Sequence, residues 1–223
     1  MPASRRRQRS GIDPISAFLN VPFDRQYETL YLAFIAGLSG FGLVPRAALE
    51  IPGSQRRLDR LMHLIGTCHY SFHDLSRVEL ESGMPKTPRF NMPFELGLTV
   101  ARSVNIRGGH RWYVFESKRF RVLKSLSDIN GTEVYIHAGS PVGLLRELTN
   151  ALARSQHRPT VRELQAVYRD LRRTAVNLKR ELATETLFDT RPFLDLVLAG
   201  NISARHRIAS LRQPNTNSRR RRS

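Results

Sequence analysis

The sequence predicts an α/β protein, in which a doubly wound parallel sheet of five strands is followed by a helical extension. Short apolar runs typical of buried strands alternate with segments of helical periodicity from about residue 18 to residue 154. After residue 156 the pattern is helical only. This alternation favours parallel strands, because a parallel pair needs a long crossover connection that is usually a helix.

The first predicted unit is a strand over residues 18–23 and a helix over residues 25–38. The strand ends at Pro22, which cannot donate to a ladder, and at Asp24, which can cap the helix. The helix carries apolar side chains every three or four residues and is followed by glycines. We therefore interpret the glycine-rich segment 37–42 as helix capping and not as a phosphate loop.

The second and third units repeat this pattern. A short apolar run over residues 43–49 predicts the second strand, and residues 55–65 form a helix with one apolar face. Residues 68–73 are the third predicted strand. Another helix is predicted to open at about Glu95, after a polar loop.

The fourth and fifth strands are predicted at residues 111–116 and 133–137, which are rich in aromatic and β-branched side chains. Helix-like segments follow each strand. The extension is predicted as two helices that either pack back on the sheet or offer a surface to a partner. The four helices of this part of the chain are predicted at residues 119–129, 141–154, 161–183 and 191–199.

Arginine dominates both ends of the chain. The formal net charge is +17, and residues 1–10 hold four arginines while residues 211–223 hold five, without acids in either segment. Such composition predicts disordered arms that either contact polyphosphates or simply keep the protein in solution. The predicted organisation is a basic arm, an α/β domain, a helical extension and a basic tail, at residues 1–14, 15–156, 157–210 and 211–223.

The sequence offers no membrane span and no signal peptide, so we expect a soluble, cytoplasmic protein. Cys68 is the only cysteine and adjoins an apolar run, which predicts a buried, inert thiol. His69 and His73 lack the further ligands of a closed zinc site, so no metal is predicted. No Gly-x-Ser-x-Gly nucleophile elbow occurs.

Asp74 and Glu95 are the candidate catalytic residues. Asp74 follows the third strand and Glu95 opens the next helix, so we expect both acids to face one crevice at the strand ends. A carboxylate near an anomeric carbon can stabilise an oxocarbenium ion or attack it. The helix dipole would favour the ionised form of Glu95 by about 0.3–1 kcal/mol. The structural alternatives are an acid that stabilises a helix end and, for Asp74, a turn with Ser76.

Three segments carry a resemblance to a known family: Pro22-Phe23-Asp24, His73-Asp74-Leu75-Ser76-Arg77 and Asn91-Met92-Pro93-Phe94-Glu95-Leu96-Gly97. Together they resemble bacterial TIR-like proteins, which are related in architecture to nucleoside 2-deoxyribosyltransferases. The resemblance covers residues 19–154 and implies a flavodoxin-like sheet.

The resemblance also implies chemistry. Glu95 matches the glutamate that acts at the anomeric carbon of a nucleoside or of NAD, and Asp74 matches an acid that binds sugar hydroxyls. The transferases carry an Asp-Ser-Gly-Thr type of loop before their glutamate, where this chain has Arg89-Phe90-Asn91-Met92-Pro93. The class of substrate therefore stays open.

Other residues are candidates for substrate binding. The loop after the first strand can cover a nucleobase, arginines can grip phosphates through a bidentate fork, and a histidine can protonate a neutral leaving base. Asp24 has the alternative role of a helix cap. These candidates are Pro22, Phe23, Asp24, Arg46, His73, Arg77 and Asn91.

The predicted function is cleavage of the N-glycosidic bond of NAD or a related nucleotide, with NAD as substrate and without a separate cofactor. The resemblance implies a bacterial defence effector that assembles into homo-oligomers on activation. The alternative is a module without turnover that binds a nucleotide or, through its arginine arms, a nucleic acid.

Overall fold

Helices cover both faces of a five-stranded sheet in the computed structural model of this chain. The strands lie in the order β2-β1-β3-β4-β5, and every neighbouring pair is parallel. This flavodoxin-like order confirms the predicted fold class. The strands are β1 (Ser16–Asn20), β2 (Val44–Arg46), β3 (Tyr70–Asp74), β4 (Arg111–Glu116) and β5 (Val134–Ile136).

The structure describes residues 15–51, 56–77, 89–105 and 110–211. The predicted arm at residues 1–14 and the predicted tail beyond residue 211 lie outside these ranges. None of the helices in the described ranges is long and apolar enough to cross a membrane. The α-helices are α1 (Glu28–Gly40), α2 (Arg57–Thr67), α3 (Asn91–Asn105), α4 (Arg121–Ser125), α5 (Pro141–Ala151), α6 (Val161–Glu181) and α7 (Thr190–Arg207).

The two faces of the sheet carry different helices. Helices α1, α5, α6 and α7 share one large core with Phe72, Phe115 and Tyr135 of the sheet. Helices α2, α3 and α4 pack on the other face, where Phe18 and Val114 point. The helix that follows β1 and the helix that follows β3 therefore lie on opposite faces, an arrangement that places a crevice between the carboxyl ends of these two strands.

The helical extension packs back on the α/β domain, which settles the choice that the sequence left open. Every residue of α1 from Leu30 to Gly40 is buried, because this helix is enclosed by the sheet on one side and by α6 and α7 on the other. Helix α7 is longer than predicted, since it continues through the polar residues up to Arg207.

The glycines near the end of α1 have two roles. A side-chain carbon added at Gly37 would collide with Leu148 of α5, and one added at Gly40 would collide with Leu164 of α6. These two glycines permit close helix contacts and are not caps, which corrects the sequence interpretation. Gly42 does end the helix, since it adopts a φ of 75° that favours glycine.

Candidate functional site

Asp74 and His73 are neighbours at the end of β3 but point to opposite faces of the sheet. Asp74 is paired with Phe115 in β4, and His73 is paired with Val114. Phe115 packs in the core beneath α1, whereas Val114 packs against α3. Because side chains alternate along a strand, Asp74 faces α1 and His73 faces α3.

Asp74 is a fully buried carboxylate surrounded by donors. The Tyr27 hydroxyl donates to Oδ2, and the backbone N–H of Ser76 donates to Oδ1 over 2.8 Å. His137 Nε2 lies 2.9 Å from Oδ2. Burial alone would raise the pKa of Asp74, but the hydrogen bonds from His137, Ser76 and Tyr27 outweigh it and hold that pKa below its usual range.

The partners of His137 define which ring nitrogen carries its proton. The Gly139 N–H donates to Nδ1 over 3.0 Å, so Nδ1 is an acceptor and the neutral ring is protonated at Nε2. The same Nε2 lies 3.0 Å from the Ser76 hydroxyl and 2.9 Å from Asp74. A nucleophilic Ser-His-Asp relay requires the acid and the serine on different ring nitrogens, so these three residues do not form one.

Glu95 lies in the second turn of α3, on the opposite face of the sheet from Asp74. The two acids thus lie at the same end of the sheet but on opposite faces, so the expectation that both face one crevice is not met. The turn with Ser76, which was the structural alternative for Asp74, is present.

Glu95 is only 9% exposed. Burial raises the pKa of Glu95 to about 7, and the nearby positive charge of Arg57 offsets this only in part. Among the described residues the carboxyl group has no hydrogen-bond or ion-pair partner. Desolvation therefore outweighs the helix dipole, which was expected to favour the ionised form.

The buried side chain of Asn20 lies against the start of α3. The Asn20 side-chain amide donates to the Met92 carbonyl and contacts His73 Nδ1, each over 2.9 Å. This links the end of β1 to the first turn of the helix that carries Glu95. In the part of the chain that the structure describes, the buried atoms His73 Nε2 and Thr99 Oγ1 have no hydrogen-bond partner. Thr99 follows Glu95 by one helical turn and lies on the same side of α3.

His73 is unsuited to the donor role proposed from the sequence. Burial lowers the pKa of His73 to about 3, so the ring is neutral at pH 7. Its Nδ1 accepts from Asn20, which leaves the proton on Nε2. A neutral ring of this kind offers a hydrogen bond to a ligand and does not transfer a proton to a leaving group.

Asp24 joins the loops that follow β1 and β3. Its Oδ1 accepts from the Tyr27 N–H over 3.1 Å, which confirms the predicted cap. Its Oδ2 accepts from Arg89 Nη1 over 2.7 Å and lies 3.0 Å from Arg77 Nε. Arg77 also donates to Gln26 over 2.5 Å. Two arginines are thereby fixed at the mouth of the crevice.

The remaining predicted substrate-binding residues are dispersed. Phe23 packs on Tyr31 and Phe188, away from the start of α3. Arg46 donates through Nε to Glu50 over 2.8 and 2.9 Å, so a carboxylate occupies that edge of its guanidinium. Pro22 is buried and Asn91 is exposed at the first residue of α3.

Several site residues were missed by sequence reasoning. Tyr27 falls inside the helix predicted at residues 25–38, and His137 is the last residue of the strand predicted at residues 133–137, so neither was a candidate for the site. The fully buried Glu116 holds Arg121 through Nε at 2.8 Å, and Arg121 donates to the Ser76 carbonyl. This clamp ties the ends of β3 and β4 together.

Cys68 is buried, and burial raises the pKa of its thiol to about 11. The predicted burial of this thiol is therefore confirmed. Across the described ranges, no group of three or more His, Cys, Asp or Glu side chains could hold a metal ion.

Comparisons of the chain with protein-family models, with curated proteins and with solved structures find no match.

Proposed function

We propose that this protein cleaves the N-glycosidic bond of NAD or a related nucleotide, with Glu95 as the carboxylate at the anomeric carbon. The observation that carries the proposal is Glu95 itself: a buried carboxyl group with a pKa of about 7 and no partner among the described residues. It lies beside the carboxyl ends of β1 and β3, where open α/β sheets bind ligands. A buried acid with a shifted pKa at such a place is typical of a catalytic group.

The chemistry needs a carboxylate whose charge responds to the substrate. When the bond between the ribose C1′ and the base nitrogen breaks, the electron pair leaves with the base and positive charge develops on the ribose. The cationic ring of NAD would lower the pKa of Glu95 by direct attraction, so that the ionised form appears as the substrate binds. Glu95 then stabilises the oxocarbenium ion or forms an ester with C1′.

The second half of the reaction needs a base. On the oxocarbenium route, water adds to C1′ and gives its proton to the free Glu95 carboxylate, whose pKa of about 7 suits this role at neutral pH. On the ester route, water displaces the Glu95 carboxylate from C1′, the ester bond breaks, and the released carboxylate takes up the proton. Nicotinamide leaves NAD as a neutral molecule, so this route requires no proton donor. The neutral state of His73 is therefore compatible with the reaction.

A nucleoside with a neutral purine is the second candidate substrate. Its base leaves faster when it is protonated, and a carboxyl group with a pKa of about 7 can supply a proton near neutral pH. The same shifted pKa thus supports transfer of a proton to a purine. A panel that contains both NAD and purine nucleosides separates the two substrates.

Several described residues support binding of a nucleotide. Arg57 is close enough to Glu95 for its charge to lower the Glu95 pKa, and Arg77 and Arg89 are held at the crevice by Asp24. Guanidinium groups bind phosphates through paired N–H donors. Asp74 acts as a positioning residue in this scheme, because its donors tie α1, β3 and β5 together.

The test is release of nicotinamide from NAD and of free base from nucleosides, with concentrated purified protein. We expect release by the wild type and none by Glu95→Gln, while Glu147→Gln on α5 serves as a matched control and retains activity. Concentrated protein is used because the resemblance suggests a defence effector that is active only as a homo-oligomer. Full activity in Glu95→Gln, or no release from any substrate, would refute the proposal.

A further inference from the structure

A cavity of about 400 Å³ lies between α4 and the edge strand β5. Side chains alternate along a strand, and Tyr135 of β5 packs in the core beneath α1, so Val134 and Ile136 point to the face that carries α4. Helix α4 has only five residues, which gives it a length of about 7.5 Å. Because so short a helix covers β5 incompletely, both side chains are only half-buried and the cavity remains open.

The lining of the cavity is mainly apolar. Val122 and Leu123 contribute from α4, and Val134 and Ile136 contribute from β5. Thr132, just before β5, adds a hydroxyl group. Sites for small molecules have this size and this composition, in which apolar side chains surround a few polar groups.

Phe120 lines the same cavity in a conformation that is unfavourable for a bulky residue. Its φ of 65° and ψ of −4° are left-handed, a region that costs free energy for any side chain with a Cβ. The side chain is 76% exposed, so burial in the core does not offset this cost. Residues held in this way are typical of sites that bind ligands. An exposed aromatic ring at a cavity also offers a flat surface to another ring.

Positive charge lies next to this ring. Lys118 and Arg119 directly precede Phe120 in the chain and also line the cavity. Arg119 is exposed, and its guanidinium has no ion pair in the part of the chain that the structure describes. Glu147 borders the cavity from α5, where its carboxylate accepts from Asn150 Nδ2 over 3.2 Å. The lining therefore has a net positive charge.

We propose that this cavity binds a small molecule in which a flat aromatic ring carries an anionic group, either a carboxylate or a phosphate. The ring stacks on Phe120 and enters the apolar lining, and Arg119 holds the anionic group through paired N–H donors. The proposal is independent of the proposed function, because Glu95 is not among the residues that line the cavity.

The test follows the backbone amide ¹H–¹⁵N shifts of the full chain during titration with 2-naphthoate and with 2-naphthyl phosphate. Two control ligands separate ring from charge: naphthalene-2-carboxamide has the ring without the charge, and cyclohexanecarboxylate has the charge without an aromatic ring. The variants are Arg119→Gln and Phe120→Gly. Their controls are Arg169→Gln on α6 and Leu198→Ala on α7, which remove an exposed arginine and an exposed apolar side chain elsewhere.

The shifts should be saturable and should map to the residues that line the cavity. A ligand of this size should bind with a Kd of about 1 mM or below, and the tighter of the two aromatic anions identifies the anionic group. The carboxamide should bind at least about ten-fold more weakly than 2-naphthoate, because it lacks the charge. Arg119→Gln should abolish this difference, whereas Arg169→Gln should leave it unchanged.

Phe120→Gly distinguishes a binding role from a structural one. Glycine adopts the left-handed conformation without cost, so the melting temperature should be unchanged or higher, while 2-naphthoate should bind about three- to ten-fold more weakly. Leu198→Ala should bind as the wild type does. Wild-type binding that is equal for 2-naphthoate and either control ligand, shifts that map outside the cavity, or no saturable binding at several millimolar would each overturn the proposal. So would undiminished binding by Phe120→Gly.

Discussion

His137 Nε2 lies 2.9 Å from Asp74 Oδ2, although β4 separates the strands that carry them. The histidine follows β5, and it reaches past the end of β4 to a carboxylate at the end of β3. Tyr27, just before α1, donates to the same oxygen. One buried anion therefore joins three separate elements at the edge of the sheet where the site lies.

The hydroxyl of Tyr27 should contribute more to stability than other buried tyrosine hydroxyls. Tyr27→Phe removes a hydrogen bond to an ionised group, and we expect the free energy of unfolding to fall by about 1.5–3 kcal/mol at pH 7. Tyr31→Phe in the adjacent helix is the matched control, since its hydroxyl lies 3.4 Å from the Leu187 carbonyl. Urea denaturation measures both losses, and equal losses would contradict the prediction.

Asp74 should stabilise the fold only while it is ionised. Its pKa in the folded state lies below the ordinary value of 3.8, so its contribution is present above that pH and is lost as the pH falls through the folded pKa. Asp74→Asn should therefore cost about 3 kcal/mol at pH 7, because it breaks a buried network. The loss should shrink as the pH approaches 3, which urea unfolding at pH 3, 5 and 7 can follow.

Glu95 should have the opposite effect on stability. Its pKa rises from 4.5 to about 7 on folding, so the folded state binds the proton more tightly and stability is lost as the pH rises through this range. Above pH 7 the buried charge costs about 3 kcal/mol. Glu95→Gln should therefore be more stable than the wild type at pH 8 and about equally stable at pH 4.5.

The stability of Glu95→Gln should be compared with its rate of base release. A substitution that raises the melting temperature at pH 8 and abolishes base release would show a carboxylate that is retained at the expense of stability. If Glu95→Gln lowers stability at every pH, then the carboxyl group has partners that the geometry does not show.

The protonation of two histidines can be observed directly. His73 and His137 both accept a hydrogen bond at Nδ1, so each neutral ring should carry its proton on Nε2. His73 should also remain neutral down to about pH 4, since its pKa is about 3. Two-dimensional ¹H–¹⁵N spectra of the imidazole rings between pH 4 and 8 test both statements. A proton on Nδ1 of either ring would contradict the geometry.

Glycine substitutions should distinguish a helical glycine that packs against another helix from one that is exposed. Gly37→Ala places a methyl group against Leu148 in the core, and we expect a loss of about 1–3 kcal/mol. Gly97→Ala on α3 is the control, because no atom lies within 4 Å of the added carbon there and alanine favours the helix by about 0.8–1 kcal/mol. Thermal unfolding should thus show opposite shifts for the two variants.

Periodicity was sufficient to predict the five strands, because each is a short apolar run between helical segments. It placed the first strand too late: Val21, Pro22 and Phe23 continue the apolar run after the ladder has ended at Asn20. The helix predicted at residues 119–129 divides into α4 and a 3₁₀ turn for which periodicity gave no signal.

The site was less predictable than the fold. The cap at Asp24 and the turn at Asp74 are local, so their residue types indicated them. The contact between Asp74 and His137 depends on strand order and register, which the sequence does not display. The burial of Glu95 likewise depends on how α3 lies against β1, and that burial reverses the expected direction of its pKa shift.

Because α6 and α7 enclose α1, the protein cannot complete its core until residues 161–207 have been synthesised. Helix α1 is made early and is apolar on nearly every side. A chain that ends before α6 therefore exposes the apolar surface of α1 to solvent, and a fragment cut after Gln156 should aggregate when expressed. The extension thus supplies the apolar cover that α1 lacks for as long as α6 and α7 are absent.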